Sequence, residues 1–144
     1  MARNEQTMRE SFLLSNMAPQ LPAFNRGIWK VLEESVRKLV REKKDIYIIT
    51  GSLYLEPAQS IGHNKVGVPS HFYKIIVSIQ DGIPQEAVAF VIPNASFSAS
   101  QLKSFIVTID KVEELSQLDF FPDLDDSVED KIESENRLSG WFQD

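Results

Sequence analysis

Residues 15–37 read SNMAPQLPAFNRGIWKVLEESVR, and this stretch decides how the rest of the chain is arranged. Asn16 and Gln20 bracket Met17-Ala18-Pro19, a run suited to a turn. Asn25 follows Pro22, and from Arg26 onward Ile28, Trp29, Leu32, Val36, Leu39 and Val40 recur at the spacing that gathers side chains on one helix face. The period predicts a helix over residues 26–43, about 27 Å long. Glu33 and Arg37 lie four apart, so they are neighbours on its surface. An amide, a carboxylate and a guanidinium thus follow one another along a single predicted helix, with Asn16 and Gln20 at its head.

Downstream the period falls to two. Ile46-Tyr47-Ile48-Ile49-Thr50-Gly51 is β-branched and aromatic and reads as a buried strand that Leu53-Tyr54-Leu55 would prolong. Residues 56–67, with Pro57, Gly62 and Gly67, read as an exposed connection. A second strand is expected over 71–79 and a third over 86–92, ending at Pro93-Asn94; the turn chemistry of Gln80-Asp81-Gly82-Ile83-Pro84 makes them an antiparallel hairpin. Residues 104–109 suit another short strand. Asp110 and Glu113 stand at capping-box spacing, which starts a helix at Asp110 that ends near Leu118. Phe120-Phe121-Pro122 offers an apolar anchor, a weak helix is expected over 128–136, and Trp141-Phe142 reads as a packed end. Upstream, residues 1–10 suit a polar helix and 12–15 a brief strand delivering Asn16. The pattern is α+β, a mainly antiparallel sheet with flanking helices.

Composition bounds the function. A chain of 144 residues with 42% hydrophobic content is sized for one domain. Its longest apolar runs, such as residues 87–92, are too short to span a bilayer, and MARNEQTMRE has no apolar segment of a secretory signal. The absence of cysteine excludes disulfides and thiolate metal sites. Residues 119–135 carry eight of the 21 acidic residues against one base, Lys131, so this run outweighs the whole net charge of −6 and leaves the remainder close to neutral. Lys38, Arg41, Lys43 and Lys44 gather at the C-terminal end of the predicted helix, where cations suit its dipole.

The block SNMAPQ, with FN completed nine residues after Asn16 and then Trp29, Glu33 and Arg37, closely resembles the second half of the active-site motif of the DNA/RNA non-specific endonucleases, the ββα-metal or His-Me finger nucleases. TGSLY, VPSHFYKIIV and AFVIPN resemble the sheet of that family in the same order, so the resemblance covers nearly the whole chain. It implies a partial endonuclease domain over residues 1–126, with 127–144 an acidic extension packed on the same domain. It also implies hydrolysis of phosphodiesters in DNA and RNA without sequence preference, dependent on Mg2+ or another divalent cation such as Mn2+. In that resemblance Asn25 is the direct metal ligand, Glu33 acts through water on the metal, Arg37 stabilises the phosphate, and Asn16 and Gln20 orient the site. Magnesium prefers oxygen ligands and retains waters, which suits one neutral carbonyl ligand. On a straight helix Asn25 and Glu33 would stand about 12 Å apart along the axis, so both bind one ion directly only if the first turn bends.

The family's Asp-Arg-Gly-His tetrapeptide, which carries its general base, does not occur in the 144 residues. His63 lies in a glycine-rich loop and His71 lies in VPSHFYK, which resembles a non-catalytic segment of the family. The expectation is therefore a chain holding the metal half of a nuclease site without its base half, as a fragment or from an alternative start. The alternatives are a degenerate, catalytically inactive domain that binds nucleic acid or a protein partner, and a structural half completed by a separate segment. A sheet edge left exposed would favour a homodimer or association with such a segment.

Overall fold

The computed structural model describes residues 17–42, 45–55, 57 and 59–134. The helix expected over 1–10, the strand over 12–15, Asn16, Lys43, Lys44 and Trp141-Phe142 lie outside the described residues. In chain order the elements are α1 (Pro22–Arg26), α2 (Ile28–Glu42), β1 (Ile46–Leu53), β2 (Gln59–Ile61), β3 (Val66–Val68), β4 (His71–Gln80), β5 (Ile83–Pro93), a 3-10 segment (Ala99–Phe105), β6 (Ile106–Val107), α3 (Ile109–Ser116) and α4 (Asp126–Ser134).

The main sheet has the order β1-β4-β5-β6 with every pairing antiparallel, so the architecture is the α+β class that the sequence pattern predicts. β4 and β5 occupy its centre and are joined by a two-residue turn, Asp81-Gly82, in which both residues have positive φ (52° and 80°). That conformation matches the right-handed twist of the strands, and Gly82 adopts it without steric cost.

Alternation along the central strands builds two cores, one on each face of the sheet. Phe72, Ile76, Val88, Phe90 and Ile92 face the helical layer of α1 and α2, burying Phe24, Ile28, Trp29, Leu32, Val36 and Leu39. Tyr73, Ile75, Val77, Ala87 and Ala89 face the other way, against Ile109 and Val112 of α3 and Ile132 of α4. Each fully buried large apolar side chain contributes about 1.5–3 kcal/mol relative to exposure, so both layers are held chiefly by this burial. Phe120 and Phe121 pack on the second core, as the anchor reading expects.

Five expectations need correction. The helix expected over 26–43 begins only at Ile28, as α2; a separate short helix, α1, precedes it, and the two part at Gly27, where a Cβ would lie 2.3 Å from the carbonyl oxygen of Ala23 and the cap N–H turns back to Phe24 O. The first strand is not buried: among the described residues β1 is an edge strand paired with β4 alone, leaving Tyr47 64% and Ile48 43% exposed. The connection over 56–67 holds an ordered small hairpin, β2 with β3, which turns through Gly62 and Lys65 at positive φ. The helix expected to start at Asp110 is capped by Thr108, whose hydroxyl accepts from the Lys111 N–H at 3.2 Å; Glu113 instead accepts from the Phe120 N–H at 2.8 Å. Residues 104–109 yield only the two-residue strand β6, since the 3-10 segment runs to Phe105.

Candidate metal and phosphate site

The break at Gly27 shapes the site. Asn25 sits on α1, exposed, and its backbone N–H donates to Leu21 O at 2.9 Å. Among the described residues its carboxamide makes no hydrogen bond, and the side chain faces solvent. Glu33 and Arg37 lie on α2 beyond the break, so Asn25 and Glu33 do not share one straight helix axis. Phe24 of α1 stacks on Phe72 of β4 with ring centroids 5.3 Å apart, and Trp29 of α2 contacts both rings at 5.2 and 5.8 Å. This aromatic trio fixes both helices to the sheet where they part.

Glu33 Oε2 lies 3.6 Å from Arg37 Nη2, with the two side chains 39% and 55% exposed. A solvated pair of this kind adds only a few tenths of a kcal/mol, so stability is a weak account of its placement. Beneath it lies a group that sequence reasoning missed. Lys74 of β4 is buried; its ammonium donates to Thr50 Oγ1 at 2.7 Å and stands 4.8 Å from the centre of the Trp29 ring. Burial pushes its pKa down, the charge of Glu33 draws it back up, and that of Arg37 lowers it further. Lys74, Glu33 and Arg37 are therefore one electrostatic group. The available signal was a single cation amid the apolar run FYKIIV, which demands a buried partner.

Gln20 is half-buried and lines an open cleft of about 770 Å³ together with Met17, Trp29, Thr50 and Gly51. The segment leading into α1 is held from β5: Asn94 Oδ1 accepts from the Leu21 N–H at 2.9 Å, and Nδ2 donates to Pro19 O at 3.3 Å and Pro69 O at 3.0 Å. Gln20, Asn25, Glu33 and Arg37 thus lie on or beside the same two helices, while Asn16 lies outside the described residues.

Neither histidine lies on these helices. His63 is exposed in the turn between β2 and β3. His71 opens β4 with Nδ1 3.0 Å from Ser70 Oγ, and strand alternation assigns it to the Tyr73 side, opposite Phe72 and Trp29. On that opposite face Asp110, Glu113 and Glu133 bring carboxylate oxygens within 4.8 Å of one another. Glu133 has a buried Oε1 without a partner, and its pKa is pushed up to about 7, first by burial and then by the charges of Glu113, Glu129, Asp110 and Asp119.

The exposed carboxamide of Asn25 and the partly exposed carboxylate of Glu33 each offer a hard oxygen donor of the kind a magnesium-class ion prefers. The DNA/RNA non-specific endonuclease family model matches residues 1–127. Human mitochondrial endonuclease G is 35% identical over 132 residues, covering 84% of this chain and 44% of the relative. Nuclease C1 of Cunninghamella echinulata var. echinulata is 37% identical over 132 residues, covering 84% of this chain and 52% of the relative. A chain in the crystal structure of an EndoG/EndoGI complex superposes with a TM-score of 0.72 at 37% identity, over 81% of this chain and 52% of that one. The chain thus spans about half the length, or less, of the relatives it matches. With the family model covering both helices of the site and the sheet beneath them, the chain belongs to the DNA/RNA non-specific endonuclease family.

Proposed function

We propose that this chain supplies the metal-binding and phosphate-binding part of a non-specific endonuclease acting on DNA and RNA. The observation that carries the reading is the exposed Asn25 carboxamide beside the Gly27 break, which makes no hydrogen bond among the described residues, with the solvated Glu33–Arg37 pair on the next helix. Asn25 would hold Mg2+, or Mn2+ in its place, with Glu33 acting on the ion through water, and the bound ion would supply stabilisation of negative charge on the phosphoryl and leaving oxygens. Arg37 binds a phosphate oxygen with the guanidinium edge not turned to Glu33. Contacts of this kind engage the phosphodiester and not the base edges, which accounts for action without sequence preference. Asn16 and Gln20 orient the head of the site. The proton acceptor comes from a segment carrying Asp-Arg-Gly-His, a tetrapeptide this sequence does not contain. Without it turnover falls on the order of 10²–10⁴-fold.

A second reading, a domain that binds nucleic acid or a protein partner without cutting, is favoured by the placement of His71 on the opposite face and of His63 in an exposed turn. One set of measurements separates the two. The 144-residue chain should retard labelled duplex DNA and single-stranded RNA at low salt, and less so as salt rises. It should bind Mn2+, and Asn25→Ala should abolish that binding. When the chain is extended through an Asp-Arg-Gly-His segment, plasmid nicking with Mg2+ supports the endonuclease reading, whereas retardation without nicking supports the binding domain. Mn2+ affinity that survives Asn25→Ala sinks the metal assignment.

A further inference from the structure

We propose that Asn94 is the positioning residue for Asn25, an inference that rests on the metal reading above and adds to it a residue outside the helical motif. α1 has only five residues, too few to hold itself as a helix in water, and its N-cap position is Leu21, which provides no side-chain cap. The support comes from the far end of β5. Asn94 is 8% exposed, and its one carboxamide joins three stretches of chain: it accepts from Leu21 N–H and donates to Pro19 O and Pro69 O. Its backbone N–H donates in turn to Ser70 O at 2.8 Å, which ties it to the start of β4. The orientation of the amide is unambiguous, because one side meets a donor and the other meets two carbonyls.

The line of force to the site is short. Asn94 fixes Leu21 through its N–H, and Leu21 O receives the N–H of Asn25. The metal-facing amide therefore hangs, through one residue, on a buried side chain at the end of the central hairpin. Partners that orient a metal ligand without touching the ion commonly set affinity by about 10–100-fold.

The link can be cut without disturbing the core. Leu21 has φ −63° and ψ 137°, which proline adopts, and its side chain is 47% exposed. Leu21→Pro thus deletes the N–H that Asn94 holds and leaves one acceptor, Asn94 Oδ1, without its donor, whereas Asn94→Ala frees the Leu21 N–H and the carbonyls of Pro19 and Pro69 together and risks the fold. Mn2+ affinity, read from the free-ion EPR signal, and amide exchange of residues 24–26 should be measured in the parent, Leu21→Pro, Asn94→Ala and Asn25→Ala. We expect Leu21→Pro to lower Mn2+ affinity about tenfold and to speed exchange of those amides, with a smaller loss of thermal midpoint than Asn94→Ala suffers. Leu21→Pro with affinity within about twofold of the parent, while Asn25→Ala abolishes binding, overturns the positioning role and leaves the metal reading standing. Asn25→Ala that still binds Mn2+ overturns the metal reading instead; the positioning role then stands or falls with the amide exchange alone, and unchanged exchange in Leu21→Pro overturns it. An unfolded Asn94→Ala leaves the decision with Leu21→Pro.

Discussion

Among single residues, Lys74 has the most opposed demands on it. Burial disfavours its charge, yet Thr50 Oγ1, the Trp29 ring and the field of Glu33 keep the ammonium in place. Its positive charge works against a divalent cation at Asn25 and Glu33 and in favour of a phosphate at Arg37. Lys74→Met, which keeps the stem and removes the charge, should therefore tighten Mn2+ binding and weaken DNA binding, each by several-fold (a few tenths to about 1 kcal/mol). Titration of both ligands on the two proteins checks this. Loss of fold would weaken both together, and a shift of both in one direction would refute the electrostatic account. Asn25, Glu33 and Arg37 were singled out by the SNMAPQ, FN, Trp29, Glu33 and Arg37 resemblance, which spacing alone, equally suited to an N-cap and a surface ion pair, did not supply. Lys74 and Asn94 did not stand out, since their partners lie 24 and 73 positions away in the chain: pairing of β1 with β4 brings Thr50 to Lys74, and docking of the segment before α1 on the sheet brings Leu21 to Asn94.

Among the elements, the junction of α1 and α2 carries the most consequence. The periodicity of residues 26–43 is continuous through Gly27, and nothing local in the apolar pattern marks the break. What marks it is contact: the missing Cβ lets the backbone of residue 27 sit against Ala23 O. Gly27→Ala must push that turn apart, at about 1–3 kcal/mol as in other overpacked positions. Denaturant unfolding should show that loss, and Mn2+ affinity should fall with it because Asn25 and Glu33 lie on either side. A variant with parent stability would show that the junction yields freely. The strands were read from sequence more closely than the helices: β4 and β5 stand where turn residues and β-branched runs put them, while β1 was misjudged because its apolar composition does not say which side of the sheet it occupies. The cap of α3 was misplaced by two residues for a similar reason, since Thr108 and Asp110 are both competent acceptors and packing of Ile109 in the core chooses between them.

In the whole molecule, one sheet separates two layers of different character. Glu133 belongs to the second layer, and burial together with its acidic neighbours pushes its carboxyl up to about 7 from the ordinary 4.5. Between those values the folded state keeps a proton that the unfolded chain has lost. The group's contribution to stability is thus present below about pH 4.5 and lost as pH rises through about 7. Glu133→Gln should remove that dependence. Thermal melts at pH 5 and pH 7.5 should show the variant gaining on the parent at the higher pH, and parallel curves would mean that Glu133 is solvated in the folded state. The layering has a further consequence. Among the described residues Arg26, Lys30, Arg37, Lys38 and Arg41 outnumber Glu33, Glu34 and Glu42 on α1 and α2, whereas α3, α4 and the segment between them present most of the acidic run on the far side. The chain is thus an electric dipole despite its net charge of −6. A polyanion drawing near exerts a torque on it before contact, turning the helices bearing Asn25 and Arg37 forward and the acidic side away, so that orientation precedes binding.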